Sequence, residues 1–330
     1  MAYAKQVLHR AELRLEQARM QNDLDNERRI RAIYEKLPRL AEIDRELRRT
    51  SAKVYAAAFR ESEDPAGAME KLKQENLAIQ RERDWILESE NIDPEDLERT
   101  PVCQSCGGSG WRGAAMCECL QELCRQEQKK ELAQELGAGK ESFEKFRLDV
   151  YPDRYDAKLG ASPRAVMQRV YSSAVSYART FTPASGSLLF MGATGLGKTF
   201  LSGCIARAVA DKGYSVCYVS AGKLFSDFET EKFRLREDGA LTGEYLGTDL
   251  LIIDDLGTEM TTQFTVSALY QVVNGRMLAG KPAIVSTNLP DGELETRYSA
   301  QIASRLLGAY TLYQFCGSDV RLLKKMEKQG

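Results

Sequence analysis

Residues 192–199 read GATGLGKT, and this octapeptide decides the fold. It fits G-x-x-x-x-G-K-[ST] at every fixed position. The LLF at 188–190 is the apolar run of a buried strand, and the FLSGCIA at 200–206 has the texture of a helix. Strand, loop and helix in that order aim backbone N–H groups and a helix N-terminus at a phosphate. Gly192, Ala193, Thr194, Gly195, Leu196, Gly197, Lys198 and Thr199 are therefore read as the cradle of ATP. In that arrangement Lys198 reaches the β- and γ-phosphates, and the Thr199 hydroxyl binds Mg²⁺.

Working outward, LLIIDD at 250–255 is an apolar strand with an acidic end. Such a strand delivers Asp254 to the magnesium site and places Asp255 to orient or deprotonate the attacking water. IVSTN at 284–288 is a further strand ending in an amide, and Asn288 there can hold the lytic water or sense the γ-phosphate. IASRLL at 302–307 puts Arg305 on an amphipathic helix, either as a surface salt-bridge arginine or as a finger given in trans to a neighbour's nucleotide. Glu259 is either a turn residue or coupled to the site. β-rich runs at 187–191, 214–220, 249–254, 282–287 and 311–316 alternate with helical stretches. That alternation predicts an α/β fold with a parallel sheet and crossover helices.

The whole chain has 330 residues, 46 Lys plus Arg against 48 Asp plus Glu, and a net charge of −2, which excludes a globally basic nucleic-acid binder but not a local basic groove. No stretch reaches the ~18–20 apolar residues of a membrane span. The N-terminus has charges throughout and no apolar signal core, so the expected location is the cytoplasm. The one histidine, His9, lies in a charged helical run, which excludes a Ser-His-Asp or Cys-His hydrolase.

Upstream of the loop, residues 1–99 are charged, nearly glycine-free and helix-prone. Leu8 and Leu15, then Ile30, Ile33, Leu37, Leu40, Ile43 and Leu47, recur at helical spacing. Pro38 marks a kink or break, and 62–67 a turn. Helices this polar cannot build a thick core, so they pair as a coiled coil or hairpin, serving as a solvated spacer or as a partner-binding arm. Residues 100–125 form a cysteine-rich module and 126–180 a helical linker with aromatic breaks at 143–146 and 151–152. Residues 181–330 form the ATP-binding domain.

Five of the eight cysteines fall between 103 and 124. In a cytosolic chain that density points to a metal site rather than to disulfides. Cys103 and Cys106 form one pair and Cys117 and Cys119 a second, a tetrahedral set for Zn²⁺. Because C-x-C is a tight bite, Cys124 is an alternative to Cys119. Five free thiols or an iron–sulfur cluster are the competing readings. A segment this short has no core of its own, so a bound metal would supply its folding energy. Cys204, Cys217 and Cys316 read as small buried hydrophobes. After the second sheet strand, Lys223, Phe225, Lys232, Phe233 and Arg234 mix cations with aromatics, the pattern of a single-strand contact, diluted by Asp227, Glu229 and Glu231.

The set GATGLGKT, LLIIDDLGTE (250–259), STN (286–288) and IASRLLG (302–308), in this order, resembles the AAA+ ATPases of the DnaC/DnaI helicase-loader group, which includes the IstB-like transposition helpers. The resemblance covers about 140–325. It implies a five-stranded parallel sheet in the order 5-1-4-3-2 without a C-terminal helical lid. It implies catalytic roles for Asp254, Asp255, Asn288 and Arg305, and, since many AAA+ proteins carry Glu where this chain has Asp255, slow hydrolysis. The CxxC…CxC pattern of the resembling loaders favours Cys119 over Cys124. Arg321 either assists the phosphate site or is solvated. The implied partners are a replicative DnaB-type helicase, single-stranded DNA and other copies of the chain, with no membrane. The alternatives are an IstB-like ATPase helper of a transposase, or an ATP-gated adaptor with little turnover. The long arm and the cysteine module rank the loader first.

Overall fold

The structure, a computed structural model, describes residues 3–58, 65–136, 141–233 and 240–320. The chain divides into two compact units, one of Leu13–Cys117 and one of Met1–Glu12 with Glu118–Gly330. Each is described in turn.

Helices α1 (Lys5–Lys36), α2 (Pro38–Ala58) and α3 (Pro65–Ser89) make up the helical arm. Pro38 does what its ring requires, opening α2 at a position whose N–H has no helical partner. Leu40 and Ile43 of α2 are fully buried against Ile86 and Leu87 of α3, with Ile33, Leu37 and Leu47 packed around them. The helices thus form a hairpin with one thin apolar seam, and polar bonds line its flanks. Arg83 pairs with Asp44 at 2.7 Å, and Tyr34 donates to the other Asp44 oxygen at 2.6 Å. Of the turn expected at 62–67, residues 62–64 lie outside the described residues, and Pro65, Ala66 and Gly67 are already the start of α3. The arm's unit closes on a two-stranded hairpin, β1 (Trp111–Arg112) and β2 (Ala115–Met116).

The second unit is built on β3 (Leu188–Met191), β4 (Val216–Ser220), β5 (Leu250–Leu256), β6 (Ala283–Thr287) and β7 (Thr311–Gln314). These strands lie in the order β4-β5-β6-β3-β7, every pair parallel. Numbered within the sheet and read from β7, the order is 5-1-4-3-2, as the resemblance implied. The inner strands read as continuous apolar runs because both faces are covered. Leu188, Phe190, Leu250, Ile252 and Ile284 share a core with α5 (Pro163–Thr180) and α6 (Lys198–Asp211). Leu189, Met191, Leu251, Ile253 and Val285 face the other core. That second core is closed by α7 (Ala221–Phe233), α8 (Ala240–Gly247), α9 (Gln263–Leu278), α10 (Asp291–Tyr298) and α11 (Ala300–Ala309).

Residues 118–180, expected to be mostly a linker, belong to this same unit. Helix α4 (Glu118–Glu135) docks on the sheet edge through the buried amide of Gln128, which donates to Tyr214 O and accepts from Val216 N, both at 2.9 Å. A side-chain amide thereby satisfies backbone groups at the start of β4. Residues 141–162 run as an irregular segment with one short 3₁₀ turn, Phe143–Lys145. Among the described residues, no helix is long and apolar enough to cross a membrane.

Candidate functional site

β3 ends at Met191, and the loop turns into α6 through Gly197, whose φ of +95° only glycine adopts readily. A Cβ at Gly197 would stand 3.1 Å from the Tyr151 hydroxyl, so the close approach of chain to chain also requires glycine. Gly197 has no side chain to cap α6, which leaves the first N–H groups of the helix facing the loop cavity. Lys198 is buried, and its ammonium donates to Gly192 O (2.6 Å) and Ala193 O (2.8 Å). The cradle is therefore shaped for an anion with a lysine already inside it.

Thr194 to Phe200 form one wall of the cleft over this loop, and Asp255 and Thr258 stand across it. The cleft is also lined by the irregular segment, through Lys145, Phe146, Arg147, Val150 and Tyr151, and by Val320. Phe146, half-buried, stacks with Tyr171 at 5.4 Å and with the buried ring of Tyr151 at 6.0 Å, which hold its own ring in place. Aromatic faces next to a phosphate cradle suit the planar base of a nucleotide. Sequence reasoning treated these aromatics as breaks in a linker. The available signal was Phe146 between the cations Lys145 and Arg147, with Tyr151 four residues on, too irregular to match a helix or a strand.

The two acidic residues separate. Asp254 is buried, accepts from the Tyr218 hydroxyl at 2.7 Å and from Ser286 Oγ, and does not itself line the cleft. Asp255 is exposed, adopts φ +55°, and does line it. Burial, and then the neighbouring Asp254 carboxylate, push the Tyr218 hydroxyl well above its ordinary pKa, so it stays a donor. Asn288 Oδ1 is buried without a hydrogen-bond partner, beside Gly257 rather than on the cleft wall. Glu259 braces the β5–α9 turn, accepting from Gly257 N at 3.0 Å and from the Tyr298 hydroxyl. Arg305 stands off the cleft wall, its guanidinium 4.7 Å from the Tyr270 ring centre and donating to Asn274 Oδ1 at 3.0 Å.

The chain thus holds the groups a magnesium nucleotide needs. For a bound magnesium nucleotide, loop N–H groups and Lys198 would meet phosphate charge, the Phe146 ring would meet the base, and the Thr199 hydroxyl and the Asp254 carboxylate would hold the cation.

The sulfurs of Cys103, Cys106, Cys117 and Cys119 lie within 4.8 Å of one another. Gly110 N donates to Cys106 Sγ at 3.2 Å, an interaction that suits a thiolate ligand. Four converging sulfurs fit Zn²⁺. Cys124 is outside this group, fully buried on α4, its thiol pushed up to about 11 by burial first and by Glu12 and Glu127 next. Burial likewise raises Cys204 to about 12.

The single-strand helix needs correction. Phe225 is 4% exposed and sits in the core against its neighbours on α7, so it cannot stack on a base. Its spacing matches the buried face, with Leu224 and Phe228. Lys223 is engaged by Asp227 at 2.8 Å. Lys232 is exposed, its ammonium 5.1 Å from the Phe264 ring centre, and Phe233 ends α7. Arg234 and Arg321 lie outside the described residues.

Residues 157–310 match the family of IstB-like ATP binding proteins. That match takes in the phosphate loop and the strand-end carboxylates, and it spans a little under half of the chain. An ATP-binding protein in an insertion sequence of Mycobacterium tuberculosis is 30% identical over 105 residues, 32% of this chain and 41% of that protein. The replicative helicase loader DnaC of Escherichia coli is 24% identical over 136 residues, 41% of this chain and 56% of the loader. The chain therefore spans about half the length of the curated relatives it matches. Among solved structures, a DnaC helicase loader is similar at 20% identity and a TM-score of 0.44, over 53% of this chain and 98% of that one. AMPPCP-bound DnaA from Aquifex aeolicus has a TM-score of 0.44 at 19% identity, over 58% of this chain and 56% of that one. Both acidic residues, Asn288 and Arg305 fall inside the matched residues, whereas the aromatics at 146 and 151 precede them.

Proposed function

We propose that this chain is a cytoplasmic ATP-dependent loader of a DnaB-type replicative helicase, in which the IstB-like domain binds and slowly hydrolyses ATP. The carrying observation is the cleft itself, where the lysine-bearing loop, an acidic residue on the facing strand end and an aromatic wall converge on one cavity.

In this reading the nucleotide phosphates draw Lys198 away from the carbonyls of Gly192 and Ala193 and take its charge. The base lies along the half-buried Phe146, which the buried Tyr151 backs. Asp255, exposed in the cleft, orients the attacking water and accepts its proton. A bound Mg²⁺, held by Thr199 and Asp254, would neutralise charge on the transferring phosphoryl group. Asn288 senses the γ-phosphate. Arg305, off the wall of its own cleft, serves the nucleotide of an adjacent copy. The four-cysteine zinc site is structural. The helical hairpin holds the helicase, and the α7–α8 region, with Lys232, meets single-stranded DNA.

Support for a loader over a transposase helper comes from the compact unit of Leu13–Cys117, which an ATPase core does not need for turnover, and from the likeness to DnaC. The likeness to an insertion-sequence ATP-binding protein supports the second reading, an ATPase helper of a transposase. Incubating the full chain with a DnaB-type hexameric helicase and separately with an insertion-sequence transposase distinguishes them. Retention of the helicase supports the loader; retention of the transposase alone overturns it.

A further inference from the structure

The two carboxylates after β5 are adjacent in sequence yet point to different places, and the strand register explains why. Ile253 of β5 pairs with Val285 of β6, but the next pair is Leu256 with Thr287. Two residues of β5, Asp254 and Asp255, therefore oppose the single residue Ser286. This is a bulge, and a bulge re-aims side chains at the end of a strand. Asp254 keeps the in-sheet direction and is buried, while Asp255 takes φ +55° and turns into the cleft. For a residue with a side chain that backbone conformation is unfavourable and persists only where neighbours hold it.

Thr258 Oγ1 donates to the Asp255 carbonyl at 3.0 Å, and one hydroxyl ties Asp255 to Asp254. Ser286 Oγ accepts the N–H of Asp255 at 3.0 Å and donates its own proton to Asp254 Oδ1. The other Asp254 oxygen receives the Tyr218 hydroxyl from β4 at 2.7 Å, and Ser202 Oγ on α6 lies 3.4 Å from that hydroxyl. The carboxylate is thus gripped from both neighbouring strands. From the ATP-site reading above, on which this rests, we infer that Ser286 is the positioning residue of the acidic pair, fixing Asp254 for the cation and Asp255 for the cleft at once, with Tyr218 as its second support.

Ser286 is fully buried and does not line the cleft. Its effect passes through the two aspartates, so its loss should appear in the metal dependence rather than in the affinity for free nucleotide. Loss of a hydrogen-bond partner behind a metal ligand typically costs about 10- to 100-fold in metal affinity.

The test uses the full chain as wild type, Ser286→Ala, Ser286→Thr and Tyr218→Phe. A fluorescent ATP analogue is titrated in buffer freed of divalent ions and again over a range of Mg²⁺, and turnover is followed over the same range. All four proteins should bind the analogue equally without Mg²⁺. Ser286→Ala should need about tenfold more Mg²⁺ both for tight binding and for half-maximal turnover, with a lower kcat and an unchanged KM for ATP at saturating Mg²⁺. Ser286→Thr, which keeps the hydroxyl, should restore the wild-type curve, and Tyr218→Phe should fall between. A wild-type Mg²⁺ curve for Ser286→Ala, or a Ser286→Thr variant no better than it, overturns the inference while leaving the ATP site standing. A wild-type chain that binds no nucleotide removes the ATP site and the inference with it.

Discussion

The Tyr151 hydroxyl donates to the carbonyl oxygen of Leu196 at 2.8 Å, across 45 residues of sequence. This bond ties the aromatic wall of the cleft to the phosphate loop, so that base and phosphate surfaces keep one spacing. Tyr151 is buried, and burial raises its pKa far above the ordinary phenol, so the group stays a donor. Tyr151→Phe leaves the Leu196 carbonyl unpaired. A net loss of about 0.5–1.5 kcal/mol corresponds to nucleotide affinity weakened about 2- to 10-fold. Equilibrium titration with a fluorescent nucleotide measures it, and unchanged affinity would count against the wall as part of the site.

Lys198 is the next test. Its ammonium rests on two loop carbonyls, so Lys198→Ala removes both an internal clasp and the charge that meets the phosphates. Nucleotide binding should fall by two orders of magnitude or more, about 3 kcal/mol for a charge-assisted contact in a partly closed site. Asp255→Asn should bind ATP as wild type and lose turnover, because the amide cannot accept the water's proton. Turnover in Lys198→Ala equal to wild type would reject the ATPase assignment.

How legible this site was follows from where each residue lies. The loop and the acidic strand end are contiguous strings whose chemistry is local, and the five strand positions follow from apolar runs bounded by polar turns. Asp254 and Asp255 were readable as a pair, but the bulge that separates them was not, because it depends on Ser286 of another strand. Phe146 and Tyr151 were missed for the same reason: nothing in residues 141–151 reveals that this irregular stretch folds back on the loop. Phe225 failed differently. An aromatic beside cations at helical spacing looks the same whether it faces a base or a core, and only burial distinguishes the two.

The cysteines give a prediction with two arms. The full chain should carry one Zn²⁺ by elemental analysis, and Cys103→Ser should lose it, since its sulfur belongs to the four that converge. Cys124→Ser should keep the metal and lower Tm instead, because that thiol is buried apart from the cluster. Iron in place of zinc, or zinc lost with Cys124→Ser, would overturn the ligand set.

Glu244 predicts a pH dependence. Burial, then the nearby carboxylates Glu131 and Asp227, raise its pKa from 4.5 to about 7, against the opposing pull of Lys223 and Arg10. The folded chain therefore binds more protons at this group than the unfolded chain does. The neutral carboxyl's contribution to stability is complete below about pH 4.5 and is lost as pH rises through about 7. Glu244→Gln, permanently neutral, should melt higher than wild type at pH 8, with the difference shrinking toward pH 5. Parallel melting curves across that range would show that the group does not titrate there.

Arg305 decides whether the chain works alone. Its guanidinium lies over the Tyr270 ring and bonds Asn274 and the Tyr270 hydroxyl, at 3.0 Å each. That seat pre-orients it on the surface shared by α9 and α11 and keeps it off its own cleft wall. A purely structural arginine would show its loss as a lower Tm, with turnover per folded chain unchanged. An arginine serving a neighbour would show normal ATP binding and turnover lowered by three orders of magnitude or more, the usual scale for such a finger. Arg305→Lys should not rescue, since an ammonium lacks the planar fork. Mixing Arg305→Ala with Lys198→Ala then separates trans from cis action. One chain lacks the finger but keeps its site, and the other keeps the finger but lacks its site. At concentrations that support assembly, the mixture should turn over ATP faster than either variant alone. An inactive mixture would assign Arg305 to its own cleft or to the fold alone.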